Sequence, residues 1–275
     1  MRLITLTTDF GTSDWFVGAM KGVVLGISPS TAIIDITHGV PAGDIRAGAF
    51  ALMAACRYFP KGAVHVAVVD PGVGSPRRAI AVQTADYFFV GPDNGVLSWA
   101  LAREKIKSIR QLENQKYFLD PVSRTFHGRD IFAPVAAHLS RELPVERLGR
   151  ELADFVRLPW PRPTQHGGDV IGEVVCIDHF GNAITNIESA SAKGSVQIVL
   201  PSSRTLRGKS KAICPLAECY SAVPAGHAVA VAGSSGFLEI AVNGASASRR
   251  FGLKAGDRII VKPARCRHGR RQTGH

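Results

Sequence analysis

The first half of the chain alternates short runs rich in apolar and β-branched residues with stretches of helical periodicity. Leu3–Thr8 reads as a strand and Trp15–Ile27 as a helix. Ala32–Ile36 reads as a second strand. Asp44–Tyr58 follows as a helix, with Asp44 placed to cap its first turn. Val64–Val69, Ala79–Gln83 and Tyr87–Val90 are further strands, and Val96–Arg103 and Asp130–Glu142 are helical. Strand and helix in alternation predict an α/β domain over residues 1–157. Its sheet is expected to be mainly parallel and covered on both faces.

The texture then changes. Residues 158–168, Leu158-Pro159-Trp160-Pro161-Arg162-Pro163-Thr164-Gln165-His166-Gly167-Gly168, hold three prolines and end in two glycines, which is the composition of a linker. Beyond it the pattern is short strands and turns: Val170–Ile177, Ala183–Ile187, Ser195–Leu200, Ala228–Val231, Phe237–Val242 and Arg258–Val261. A smaller all-β, barrel-like domain is expected over residues 169–263.

Length and composition fit this picture. The chain has 275 residues, 45% hydrophobic and 20% charged, enough for two globular domains. No apolar run reaches transmembrane length and the N-terminus lacks the plan of a signal peptide, so a cytoplasmic protein with no membrane partner is expected. The five cysteines, Cys56, Cys176, Cys214, Cys219 and Cys266, are odd in number and fit no zinc spacing, and they read as reduced thiols. The net charge is +11, but Arg265, Arg267, Arg270 and Arg271 stand in an acid-free tail, residues 264–275, expected to be a flexible solvated extension. No basic stripe interleaved with aromatics points to nucleic acid.

Candidate chemistry gathers where strands end, because ligands of open α/β sheets sit outside the carboxyl ends of the strands. Asp70-Pro71-Gly72-Val73-Gly74-Ser75-Pro76-Arg77-Arg78 directly follows a strand. Asp70 with Arg77 is either a structural brace across a glycine turn or a carboxylate that holds a water, with a guanidinium beside it to stabilise developing negative charge. Asp9 and Asp14 lie on the loop after the first strand. Asp9 suits a sugar diol or a turn, and Asp14 a ligand or a helix cap. His127 and Gly128 sit in a loop at a helix start. Asp178-His179-Phe180-Gly181-Asn182 and the segment from Ser234 and Ser235 to Gly244 lie at strand ends of the second domain, where ordinary turns also account for them. No Walker A, GxGxxG or HExxH sequence is present. The residues alone give a two-domain protein binding a small polar molecule.

Taken in order, Thr8–Asp14, Val69–Arg78, Gly91–Gly95, Phe126–Asp130, Asp178–Asn186 and Ser234–Asn243 resemble the S-adenosyl-L-methionine hydroxide adenosyltransferases, relatives of the fluorinase and chlorinase that use the same substrate. The resemblance spans residues 3 to about 262. It implies an N-terminal α/β domain, a C-terminal barrel-like domain, and a homotrimer whose sites lie between subunits. It also implies hydrolysis of S-adenosyl-L-methionine to adenosine and L-methionine by water or hydroxide attacking ribose C5′ in line. No metal and no cofactor are implied.

By the same resemblance Asp70, Arg77 and His127 are the catalytic, water-activating set, and Asp9 takes the ribose diol. Asp14, Asp178, Ser234 and Ser235 take the methionine ammonium and carboxylate, Asn182 and the backbone near Gly244 the adenine edge, and Phe180 packs against the substrate. Halide-using relatives carry Tyr where Asp70 stands, Thr where Val73 stands, Ser where Gly128 stands, Arg where Ser235 stands and Trp where Gly43 stands. A carboxylate in a desolvated pocket repels halide, so hydroxide transfer is expected over halide transfer. A protein that holds S-adenosyl-L-methionine or adenosine with little turnover is the alternative from a different class.

Overall fold

The computed structural model describes residues 2–189, 196–199 and 214–263, with residues 196–199 and 263 described by their backbone alone. The basic tail and the ends of the strand expected over Ser195–Leu200 lie outside them. The chain divides between Trp160 and Pro161 into two compact units.

In the first unit the elements are β1 (Ile4–Thr8), α1 (Phe16–Ile27), β2 (Ile33–Thr37), α2 (Ile45–Ala55), β3 (Val64–Val68), β4 (Ala79–Thr84), β5 (Phe88–Pro92), α3 (Ser98–Leu101), β6 (Ile106–Gln111) and α4 (Ala133–Ser140). The sheet order is β2-β1-β3-β5-β4-β6. The first four of these strands pair in parallel, but β4 pairs antiparallel with both β5 and β6, so the sheet is mixed, parallel in three of its five pairings. The cause is connection length. Only Ala85–Tyr87 separates β4 from β5, too short for the crossover that a parallel pair requires. Strand β6 escapes sequence reading because Lys107, Arg110 and Gln111 break its apolar pattern at the sheet edge, where polar residues are tolerated.

Ile4, Leu6, Val64, Val66 and Val68 turn one face of the sheet toward Met20 and Val24 of α1 and Val135 and Leu139 of α4. Each such aliphatic side chain contributes about 1.5–3 kcal/mol by leaving water. On the other face α2 approaches so closely that a Cβ at Gly48 would lie 2.8 Å from a methyl of Val69. Asp44 caps α2 as expected, its carboxylate accepting from the Ala47 N–H at 2.9 Å. The helix expected over Asp130–Glu142 instead begins as a π-helical turn, Gly128–Phe132. Pro134 stands in the first turn of α4 and has no N–H to give the Asp130 carbonyl, which accepts from Leu119 N at 2.9 Å instead.

In the second unit the elements are β7 (Thr164–His166), β8 (Asp169–Ile177), β9 (Ala183–Glu188), β10 (Val196–Val199), β11 (Leu216–Ala217), β12 (Ala228–Ala232), β13 (Phe237–Val242), α5 (Ala247–Phe251) and β14 (Arg258–Pro263). Among the described residues the ladder runs β10-β14-β8-β9-β13-β12-β11, with β7 added to β8. Two expectations change. Part of the expected linker is β7, which returns into β8 through Gly167 (φ +57°) and Gly168 (φ +86°), the two positive φ angles that a two-residue type I′ hairpin demands. The unit is also not all-β, since Ser246 caps α5 and Gly252, at φ +67°, ends it.

Candidate active site

Strand β3 delivers Asp70 to the carboxyl edge of the first sheet. Asn94 fixes the approach by donating its side-chain N–H to the Val69 carbonyl at 2.8 Å. The chain then turns tightly, with Val73 N donating to Asp70 O and Ser75 N to Gly72 O. Gly74 is required here on two counts. Its φ is +77°, and a Cβ would lie 2.4 Å from the Arg124 carbonyl oxygen. The turn brings Arg77 back onto Asp70. Nε donates to both carboxylate oxygens at 3.0 Å, and Nη2 also bonds Oδ2. Both side chains are nearly dry, at 5% exposure for Asp70 and 11% for Arg77.

The same Arg77 Nη2 reaches His127 Nδ1 at 2.8 Å, and the guanidinium lies over the Phe132 ring. An arginine N–H only donates, so His127 Nδ1 accepts, and the ring is neutral with its proton on Nε2. Burial, followed by the Arg77 charge, holds the His127 pKa below its ordinary 6.5. Arg78 turns away. It pairs with Asp93 at 2.6 Å and Asp154 at 2.8 Å, and Asp93 also accepts from Val156 N. Arg78 and Asp93 therefore brace the turn, while Asp70, Arg77 and His127 form one continuous chain.

The loops after β1 and β2 meet beside this chain. Asp9 accepts from Gly43 N at 2.8 Å, and Gly43 lies against Pro71. Phe10 and Phe16 meet at a tilt and both make edge-on contacts with Phe126, and exposed Trp15 packs on Phe16. Gly128 is buried in the same group. A Cβ there would sit 3.2 Å from Met20 Sδ and Phe126 Cε2 and 3.3 Å from Phe10 Cε2. Asp14 is exposed, and it does not cap α1, whose cap position is Trp15 with no side-chain bond.

The remaining candidates lie in the second unit. Asp178 opens the β8–β9 turn, and both its oxygens are engaged by Asn182, one by the backbone N–H at 2.8 Å and the other by the side-chain amide at 2.9 Å. Gly181 (φ +84°) packs on Ser246, which leaves no room for a side chain there, and Phe180 projects outward with 75% exposure. Ser234 is exposed in the β12–β13 turn. Ser235 Oγ is buried with no hydrogen-bond partner among the described residues. Gly244 is exposed at φ +72°.

Two groups were passed over by sequence reasoning. Glu239, a carboxylate in the otherwise apolar β13, is buried and accepts from Tyr220 Oη at 2.7 Å. Burial raises its pKa, and Asp178 adds to the rise. The signal was a lone acid within an apolar strand. His38, buried after β2, contacts Thr8 Oγ1 through Nδ1 at 2.8 Å. Among the described residues no group of three or more His, Cys, Asp or Glu is gathered to hold a metal ion, and no helix is long and apolar enough to cross a membrane.

Comparison with known proteins agrees across nearly the whole chain. The model of the SAM hydroxide adenosyltransferase N-terminal domain matches residues 4–149, and that of the C-terminal domain matches residues 172–260. An (R)-S-adenosyl-L-methionine hydrolase of Salinispora tropica is 42% identical over 94% of this chain and 97% of its own length. One of Thermus thermophilus is 40% identical over 93% of this chain and 98% of its own. A solved structure of an uncharacterized conserved protein from Thermotoga maritima superposes with a TM-score of 0.88 at 39% identity, covering 95% of this chain and all of that one. The chain belongs to the SAM hydroxide adenosyltransferase family.

Proposed function

We propose that this chain is an enzyme that hydrolyses S-adenosyl-L-methionine to adenosine and L-methionine. The reading is supported by the relatives named as hydrolases of that compound. The observation that carries it is the Asp70–Arg77–His127 chain at the carboxyl edge of the first sheet. The sulfonium leaves as a neutral thioether, so departure needs no acid. The reaction needs a water aligned behind C5′ and an acceptor for its proton.

Asp70 is that acceptor. Water donates one hydrogen to its carboxylate, the water oxygen bonds C5′ as the C5′–S bond breaks, and the proton passes through Asp70 to solvent. Arg77 holds the carboxylate in one orientation. His127, by accepting from Arg77, sets the plane of the guanidinium and keeps its own Nε2–H as a donor. Asp9 binds the ribose diol. Asp14, Asp178, Ser234 and Ser235 bind the amino-acid end. Asn182, which keeps a carbonyl oxygen and one N–H beyond its Asp178 contact, reads the adenine edge with the backbone at Gly244. Phe180 packs on the substrate and Gly128 lines the site.

This reading includes a cytoplasmic homotrimer in which each site draws on two subunits, a second unit closed in the manner of a barrel, and no cofactor. Incubation with S-adenosyl-L-methionine should yield adenosine and methionine in equal amounts by liquid chromatography and mass spectrometry, in chloride or in chloride-free buffer alike. Tight binding with no product would leave a binding protein instead. Formation of 5′-chloro-5′-deoxyadenosine would make it a halide transferase.

A further inference from the structure

His38 joins the two loops that carry Asp9 and Gly43. In a regular strand Asp35 and His38, three residues apart, would face opposite sides of the sheet. The β1–β2 register breaks this rule. Leu6 pairs with Asp35 but Thr7 pairs with Thr37, so Ile36 is an extra residue and the strand end shifts by one. Such irregularities re-aim side chains beside functional sites. The shift brings Asp35 and His38 to the same side and sets His38 against Thr8. His38 Nε2 lies 3.1 Å from Asp35 Oδ1, off the line of a straight hydrogen bond, and Nδ1 lies 2.8 Å from Thr8 Oγ1. Lys21 of α1 holds the other Asp35 oxygen at 2.6 Å.

The consequence falls on Asp9. Thr8 is fully buried and directly precedes it, and Thr8 Oγ1 also accepts from Phe10 N at 3.3 Å on the other side of Asp9. The His38 carbonyl accepts from Gly11 N at 2.8 Å, and Gly43 N donates to the Asp9 carboxylate itself. The segment 38–43 therefore grips residues 8–11 at three points, two of them through His38.

We propose that His38 is the positioning residue of Asp9, holding its carboxylate where the ribose hydroxyls of the substrate arrive. The proposal rests on the reading that Asp9 binds the ribose diol. His38 touches no reacting atom, so its loss should weaken ribose recognition and leave the attack on C5′ intact.

The test pairs variants with two substrates, S-adenosyl-L-methionine and its 2′-deoxyribose analogue. In the natural enzyme the missing hydroxyl should raise KM about ten- to a hundred-fold, the usual size of a hydrogen bond to a charged group. His38→Leu should raise KM for the natural substrate at least tenfold, change kcat less than threefold, and shrink the deoxy penalty to within about threefold. His38→Asn, whose amide oxygen can accept from Thr8 in place of Nδ1, should restore part of the penalty. If His38→Leu does not fold, Thr8→Val removes the same contact, together with the longer one from Phe10 N, at nearly constant volume and should act like it, with Thr8→Ser restoring the effect.

A full deoxy penalty in His38→Leu and Thr8→Val, or a fall in kcat at unchanged KM, would overturn the proposal. Failure of the underlying reading looks different. The natural enzyme itself would then show no deoxy penalty and Asp9→Asn would leave KM unchanged, and the proposal would fall with it.

Discussion

Replacing Asp70 by Asn leaves the shape of the turn and removes its charge. In the native arrangement three N–H contacts from Arg77 converge on the Asp70 carboxylate, and both groups are close to dry. Asn turns one acceptor oxygen into an NH₂ that faces Arg77 donors. Removing one member of a buried pair costs about 3–5 kcal/mol when the other is stranded. Here Arg77 retains His127 and the Phe132 ring, which puts the loss nearer 2 kcal/mol. The chemical loss should be larger. An amide does not take a proton from water, and a positioned base contributes about 10²–10⁴ in rate, equivalent to roughly 3–5 kcal/mol of barrier.

Asp70→Asn should therefore lower kcat by about 10²–10⁴ while the substrate Kd moves less than about threefold. Initial rates of adenosine release give kcat, titration calorimetry gives Kd, and a thermal melt shows that the variant is folded at the assay temperature. A kcat within tenfold of the native value, or Kd and rate falling in parallel, would refute the assignment of Asp70 to the attacking water.

Because His127 Nδ1 accepts from Arg77, His127→Asn, which keeps an acceptor near that place, should retain at least about tenfold more kcat than His127→Leu; equal losses would mean the contact is not used. His127 must stay neutral to accept and its pKa is held below 6.5, so the acid limb of kcat/KM should fall below pH 6.5, and a limb above that value would contradict this role. His65, buried among Phe59, Tyr87 and Phe89, is pushed down by burial to a pKa of about 4. The unfolded chain takes up that proton first as pH falls, so about 3 kcal/mol of stability should be lost between pH 6.5 and pH 4. His65→Leu should show a denaturation midpoint that falls less steeply with acid, and an unchanged slope would count against the assignment. Gly74→Ala must strain a positive φ and push on the Arg124 carbonyl, and it should cost about 1–3 kcal/mol and several degrees of Tm; a neutral melt would show that the turn yields freely.

The strands and helices that bury a continuous apolar face were legible in the sequence, because β1, β3, α1 and α2 each carry the period of their own structure. Strand β6, with charges at an edge, and β7, hidden in a proline-rich stretch, were not. Strand direction was also hidden, since a three-residue link between β4 and β5 decides it and hydrophobicity does not. At the site the motif residues Asp70, Arg77 and His127 stood out one by one, but only the fold shows that a single guanidinium nitrogen joins them. The roles of Arg78 and Asp93 as a brace likewise depend on Asp154, far along the chain. His38 was invisible because the feature that aims it is a register shift between strands, which exists only once β1 and β2 pair.

Oxygen tracing decides the reaction itself. With S-adenosyl-L-methionine in water enriched in heavy oxygen, attack at C5′ predicts adenosine carrying one heavy oxygen at its 5′ position and methionine without label. Unlabelled adenosine, or methylthioadenosine or S-adenosylhomocysteine as the nucleoside product, would contradict hydrolysis by an Asp70-held water.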